Sequence, residues 1–334
     1  MHHHLELGAA FWGEERLRQL IGAYLDYQRS LITRKAYLRH YPPALMIEPT
    51  NICNLHCPLC PSGNATLTRP RGMMPLSLFQ HVLDQVYSKI GMLILWNQGE
   101  SFLNPEFISM IRYAATKGLY TMASTNASLP LDLEAIINSG LNKLIFSLDG
   151  ITPESYNKYR VGGDFELVMS NLQALVDLKK SMGAAKPYIV WQFIVMRHNE
   201  HEIPRLKTLA KQLRVDKLEL KTAQIYTAED LHYLPAKHRY SRYRKEGDSF
   251  ELKTRLLNRC RRLWTQPVVA WNGELCICCY DKDLKYQIGN LYQESFEALW
   301  FGKKMQRLRQ QVLENRASIP ICRNCGEGIV QKIR

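Results

Sequence analysis

The chain has 334 residues, 46% of them apolar, which is material for one large domain with a smaller one attached at roughly 150 residues per domain. Its longest nearly unbroken apolar stretch, Tyr188 to Met196, falls far short of the roughly 20 residues that a membrane-spanning helix needs, so no helical span is expected. The formal charge of +13 favours anionic partners such as phosphorylated substrates, nucleic acid or an anionic membrane face, without choosing among them.

Met1 with His2, His3 and His4 reads as a tag remnant and lacks the long apolar run and small-residue cleavage site of a secretory signal. A cytoplasmic location is therefore expected. Nine cysteines in such a compartment stay reduced, which makes metal ligation, not disulfide formation, the default use of their thiols.

From Phe11 to Tyr41 the sequence is charged and aromatic. Leu17, Leu20, Ile21, Tyr24 and Leu25 are spaced like one face of a helix that ends at Pro42 and Pro43. An alternation of strand-like and helix-like segments follows. Strands are expected at 44–48, 92–96, 119–124, 143–147, 188–196 and 217–221, and helices at 76–86, 105–115, 131–138, 165–180 and 202–213. Alternation of this kind predicts parallel strands joined by right-handed crossovers, hence an α/β fold built as a partial (β/α)6 barrel. Its chemistry is expected at the C-terminal ends of the strands, by analogy with the eight-unit barrel.

Between His232 and Lys245 the composition turns aromatic and basic, which places a junction there. The expected division is a helical lead-in over 1–43, a barrel over 44–230 and a small α+β domain over 231–334. In that last part, a β pair at 268–271 and 275–278 turns at Asn272-Gly273, a strong hairpin dipeptide. Helices at 294–300 and 304–313 lead to the last cysteines.

The loop after the first strand carries Cys53-x3-Cys57-x2-Cys60. Three thiolates on a four-iron cube leave one iron without a protein ligand, the open position that a reactive metal centre requires. His56 would fill that position and compete with a substrate, so it is not expected as a ligand. This motif resembles that of the radical S-adenosylmethionine (SAM) superfamily. There the open iron chelates SAM, and one electron cleaves the sulfonium to a 5'-deoxyadenosyl radical. Leu59 departs from the aromatic residue common before the third cysteine.

Gln98-Gly99-Glu100-Ser101 resembles the family's Gly-Gly-Glu-Pro and retains Gly99 and Glu100, whose carboxylate would accept hydrogen bonds from the SAM ammonium. The resemblance further implies cofactor contacts by Ser124, Asn126, Ser147, Asp149 and Gln192. Ser124 and Asn126 equally suit a helix cap, and Asp149-Gly150 a turn.

Cys260, Cys278, Cys322 and Cys325 make a second set of four thiols, suited as such to zinc or to an iron-sulfur cluster. The run Cys260-x12-Gly273-x4-Cys278 resembles the opening of a SPASM domain, and the later Cys-x2-Cys its short twitch version. The resemblance implies two [4Fe-4S] clusters, one binding SAM and one auxiliary, which would lower the net charge to about +10. Cys276 is expected to pack as a small apolar residue. Cys279, next to an expected ligand, is a candidate hydrogen-atom donor, and Asp281 a candidate acid or base.

The reaction implied is removal of a hydrogen atom from a substrate carbon, then loss of a proton and passage of one electron to the auxiliary cluster. That is a two-electron oxidation of a hydroxylated small molecule, an anionic one being favoured by the charge, with flavodoxin or ferredoxin as electron donor. The alternatives are a redox-neutral epimerase using Cys279, a peptide-modifying maturase, or a non-enzymatic zinc protein that binds nucleic acid. Of these partners, nucleic acid is not expected.

Overall fold

The computed structural model describes residues 8–326 apart from Trp12 and Asp248, so the histidine run lies outside the described residues. Helix α1 (Glu14–Thr33) leads into β1 (Ala44–Ile47), after which strands and helices alternate as α2 (Leu76–Asp84), β2 (Met92–Leu95), α3 (Phe107–Thr116), β3 (Tyr120–Thr125), α4 (Leu133–Asn138) and β4 (Lys143–Ser147). The series continues with α5 (Pro153–Asn157), α6 (Phe165–Ser181), β5 (Tyr188–Val195), α7 (Ile203–Gln212) and β6 (Lys217–Thr222).

All neighbouring pairs from β1 to β6 are parallel, with registers such as Leu45 to Leu93 and Phe146 to Trp191. This is the partial (β/α)6 barrel. Its strands are short and β-branched or aliphatic, and β1 is buried along its whole length because helices cover one face and the site the other. Leu45, Leu93, Ala123, Leu144 and Trp191 join Phe79, Met110, Ile136 and Leu172 of the covering helices in one core.

Two features differ from the sequence expectation. The first is α1, which stops at Thr33 and not at Pro42, with Arg34 in the left-handed region at φ 56°. It also packs through the opposite face: Leu17, Ile21, Tyr24, Leu25 and Ile32 are exposed, whereas Gln19, Gly22, Ala23, Asp26, Tyr27 and Ser30 are buried. The reason is the irregular return segment, whose backbone needs acceptors. Asp26 Oδ2 accepts from Arg39 N at 2.7 Å and His40 N at 3.0 Å, and Gln19 Oε1 accepts from Tyr41 N at 2.7 Å. Unmade bonds of this kind would cost about 1–3 kcal/mol each, comparable with the apolar burial forgone.

The second feature is the C-terminal region. The hairpin of β7 (Tyr243–Glu246) and β8 (Ser249–Leu252) stands apart as its own sheet, where the sequence suggested only an aromatic and basic junction. After α8 (Arg262–Thr265), β9 (Val268–Val269) pairs in parallel with β1, and β10 (Glu274–Cys276) turns back on β9 through Gly273 at φ 82°. With β11 (Gln287–Asn290) the result is one nine-stranded sheet in the order β11-β10-β9-β1 through β6. The C-terminal region is thus not merely appended, because its strands extend the barrel sheet beyond β1. Helices α9 (Phe296–Trp300), α10 (Lys303–Asn315) and α11 (Pro320–Arg323) complete the fold. No helix among the described residues is long and apolar enough to cross a membrane.

Candidate active site

A cavity of about 500 Å³ opens at the C-terminal ends of the barrel strands. It is lined by Cys53, Cys57 and Cys60 from the loop after β1, by Gly99 and Glu100 after β2, by Ser124 and Asn126 at the end of β3, by Ser147 at the end of β4 and by Gln192 on β5. Cys279 and Tyr280 from the C-terminal region line it as well. Of the nine expected cofactor and catalytic positions, Asp149 and Asp281 do not line it.

The first thiols are held by local geometry. Cys60 N donates to Cys57 O at 3.1 Å, Leu55 N to Cys53 Sγ at 3.5 Å, and Asn126 Nδ2 to Cys53 Sγ at 3.7 Å. Gly99 is required where it stands: at φ 75°, a Cβ would come within 2.6 Å of the carbonyls of Thr50 and Ile52. That approach lets Glu100 N donate to Ile52 O at 2.8 Å and brings the loops after β1 and β2 together. His56 is exposed and does not line the cavity.

Glu100 is buried and accepts from Asn126 N at 2.6 Å and Phe102 N at 3.1 Å. Burial lifts its carboxyl from 4.5 to about 7, partly countered by these N–H groups. A buried carboxylate of that kind suits a cationic ligand group.

Asp149 lies beneath the site. Its Oδ2 takes Arg160 Nε at 2.7 Å and Nη2 at 2.6 Å, and its Oδ1 takes Ile194 N at 2.6 Å. Arg160 in turn reaches the cavity wall beside Cys57. Asp149 is therefore a positioning residue for Arg160, and sequence reading missed Arg160, which sits outside any strand-end motif. Asp149 is fully buried and the Arg160 side chain is 12% exposed. Asp149→Asn is expected to leave the guanidinium unpaired and to destabilise the fold by about 3–5 kcal/mol, measurable by denaturant unfolding.

The second set of thiols also converges. Burial, with smaller contributions from the neighbouring Cys325 and Cys322, raises Cys260 to about 11; Cys278 is pushed well up by burial, with Cys279 and Cys260 adding to it. Among these thiols stands Arg316, whose Nε and Nη2 are buried without a hydrogen-bond partner. Burial works against its cation, but Cys260, Cys325 and Cys322 outweigh that and raise its pKa. A buried guanidinium set beside Cys260, Cys322 and Cys325 fits an anionic thiolate-bound group at that place.

The first set gives the same indication, with burial pushing Cys53 up to about 12 and Cys57 up as well. Thiols so raised are poor free nucleophiles, and they ligate as thiolates when a metal supplies the compensating charge. All nine cysteines are free of disulfides, and no three His, Cys, Asp or Glu side chains among the described residues converge on a position for one metal ion. Three thiols on the loop after β1 and four in the C-terminal region are donor sets of the kind that iron-sulfur clusters take.

Cys276 is fully buried between β9 and its neighbours, as expected of a packing residue. Cys279 Sγ receives Arg262 Nη1 at 3.0 Å. Asp281, expected beside the substrate, is instead turned to Lys285 N at 2.9 Å and Tyr286 N at 2.7 Å, so it shapes its own loop behind the cavity wall.

Comparison with known proteins agrees with this geometry. The radical SAM superfamily matches residues 47–211, and the SPASM iron-sulfur cluster-binding domain matches residues 260–326. The tungsten-containing aldehyde ferredoxin oxidoreductase cofactor-modifying protein of Pyrococcus furiosus is 23% identical over 84% of this chain and 86% of its own length. The PqqA peptide cyclase of Gluconobacter oxydans is 28% identical over 55% of this chain, which spans about half of that relative's length. Among solved structures, Streptococcus suis SuiB bound to S-adenosylmethionine has a TM-score of 0.62 at 14% identity, covering 85% of this chain and 72% of SuiB. BtrN in complex with AdoMet and 2-DOIA has a TM-score of 0.56 at 15% identity, covering 89% of this chain and 98% of BtrN. The chain belongs to the radical SAM superfamily and carries a C-terminal SPASM iron-sulfur domain.

Proposed function

We propose that this radical SAM enzyme oxidises a hydroxylated small molecule by two electrons, using one [4Fe-4S] cluster on Cys53, Cys57 and Cys60 and an auxiliary [4Fe-4S] cluster on Cys260, Cys278, Cys322 and Cys325. The observation that carries this is the cavity, which is lined both by the first three thiols and by Cys279 and Tyr280, the residues next to Cys278. A substrate in this cavity lies within reach of both sets. When bound, SAM and a cluster held by Cys53, Cys57 and Cys60 would supply a 5'-deoxyadenosyl radical for removing a hydrogen atom from carbon, and a cluster held by Cys260, Cys278, Cys322 and Cys325 would offer an acceptor for the electron that remains once a proton is lost.

The chain's own residues bind and orient. Glu100 offers a buried carboxylate to the SAM ammonium, and Gly99 lets the backbone come close. Ser124, Asn126, Ser147 and Gln192 present polar groups along the same wall, while Asp149 and Arg160 hold the floor beside Cys57. With Asp281 turned to its own loop, water at the cavity mouth or a basic group of the substrate is left to take the proton.

One relative that aligns along most of the chain is a cofactor-modifying protein, which favours a small-molecule substrate over a peptide; the peptide cyclases named above match over only about half their length. Epimerisation is the second reading, favoured by the exposure of Cys279 to the cavity under the Arg262 guanidinium. The test is Cys279→Ala turning over substrate in deuterated water. Oxidation predicts retained turnover with no deuterium gained at carbon. Lost product with wild-type deuterium incorporation would establish the thiol as donor and overturn the oxidation.

A further inference from the structure

The cavity lining is rich in cations. Lys221, Arg242 and Lys282 belong to it together with Tyr226 and Tyr280, and among the described residues lining the cavity Glu100 is the only acid. Two of the four basic lining residues are already paired. Arg160 is matched by Asp149 at 2.6 Å, and Lys221 by Glu219 at 3.1 Å. Arg242 and Lys282 form no ion pair with a carboxylate among the described residues.

Arg242 is also held in a fixed orientation. Its Nε donates to Thr222 Oγ1 at 2.8 Å, its Nη2 to Thr222 O at 3.0 Å, and its Nη1 to Tyr280 Oη at 3.5 Å. A guanidinium has five N–H groups, so two remain for a ligand. Tyr280 Oη accepts a second bond from Gly326 N at 3.2 Å. Both lone pairs of that oxygen are then engaged, and its proton is left to donate. Gly326 is needed for this arrangement, because a Cβ there would stand 2.9 Å from Arg242 Nη1. Gly326, next to Cys325, thus stands against Arg242 and Tyr280.

We propose that Arg242, Tyr280 and Lys282 form a subsite for an oxyanion carried by the substrate, a phosphate or a carboxylate. The forked guanidinium, the tyrosyl proton and the ammonium offer the converging donors that such a group requires. The subsite anchors the anionic end against the SPASM side, which turns the rest of the molecule toward Cys53, Cys57 and Cys60. Only this last placement rests on the oxidation proposed above; the anion subsite itself does not.

The test is anaerobic calorimetry on the cluster-loaded protein with SAM present, titrating inorganic phosphate and, separately, acetate. One of these anions is expected to bind, and the preferred one distinguishes a phosphoryl source from a carboxylate source. Arg242→Gln and Lys282→Gln are each expected to weaken it about tenfold, as loss of a charge-assisted donor should. Arg242→Lys should recover only part of that loss, since it keeps the charge but not the fork. Iron content and SAM affinity, unchanged within about twofold, would show that the variants are folded.

Failure of both anions to bind the wild type, undiminished binding in the double variant, or competition of the anion with SAM would each overturn the proposal. So would a shifted auxiliary-cluster midpoint potential in Arg242→Gln with unchanged anion affinity, which would assign these cations to the thiolates. Anion binding as expected, but no oxidised product from any phosphorylated or carboxylated alcohol, would sink the reaction and leave the subsite standing.

Discussion

Cys57→Ala is expected to lose about four of about eight irons per chain and all SAM cleavage, whereas Cys322→Ala combined with Cys325→Ala loses the other four and keeps it. The separation follows from the grouping of the thiols. Cys53 is influenced by Cys60 and Cys57, and Cys260 by Cys325 and Cys322, with no residue shared between the two groups. Removing one thiol of three, or two of four, leaves only two protein ligands, too few to retain a four-iron cluster. Iron and sulfide analysis with a SAM-cleavage assay checks both halves. In the auxiliary variant, cleavage uncoupled from substrate oxidation is the expected signature. Loss of all iron from either variant would mean that the two sites do not load independently, and stoichiometric zinc without iron would exclude the enzyme reading altogether.

The second large effect concerns Glu100, whose carboxyl is lifted from 4.5 to about 7 by burial. Because the folded pKa exceeds the unfolded one, the proton is favoured in the folded state. The group's contribution to stability is present below pH 4.5 and is lost as the pH rises through about 7. At one pKa unit per 1.36 kcal/mol, the ionised carboxylate costs the SAM-free fold about 3 kcal/mol above that range.

SAM binding runs the other way, since its ammonium pairs with the carboxylate and not with the acid. Affinity is therefore expected to rise with pH up to about 7 and then to level off. Glu100→Gln should flatten this profile and weaken SAM by about ten to a hundredfold, the worth of a charge-assisted bond. The same variant gives up one of the two backbone bonds, from Asn126 N or Phe102 N, at about 1 kcal/mol. Net stabilisation of about 2 kcal/mol is still expected for the SAM-free protein at pH 8, read from its denaturant midpoint. A variant that binds SAM normally, or that is less stable than wild type at pH 8, would refute this account of Glu100.

Much of this protein was legible before any fold was in hand. The six barrel strands and their helices fall where the alternation placed them, mostly within two residues, because a strand buried on both faces and an amphipathic helix leave different local patterns. The grouping of the first three thiols was equally legible, since Cys53, Cys57 and Cys60 lie on one short loop and their spacing is a property of the chain. Gly99 and Glu100 followed from their place just after β2. The Asn272-Gly273 turn likewise did its expected local work, joining β9 to β10.

What only the tertiary structure decided is long-range or directional. The apolar periodicity of α1 announced a helix but could not say that Gln19, Asp26 and Ser30 would face inward, because their partners are backbone groups some 7 to 22 residues away. The parallel pairing of β9 with β1 joins residues more than 200 positions apart and has no local signature. Asp149 was found as a strand-end acid, but its partner Arg160 and its place behind the cavity depend on how the loop after β4 folds back. Asp281 shows the converse: closeness in sequence to Cys278 suggested a place beside the substrate, and its two backbone bonds turn it away. Residue spacing thus determined which groups could bind iron. The folded chain decided which side chains share one cavity, because burial, charge pairing and hydrogen-bond satisfaction are settled between distant segments and not within them.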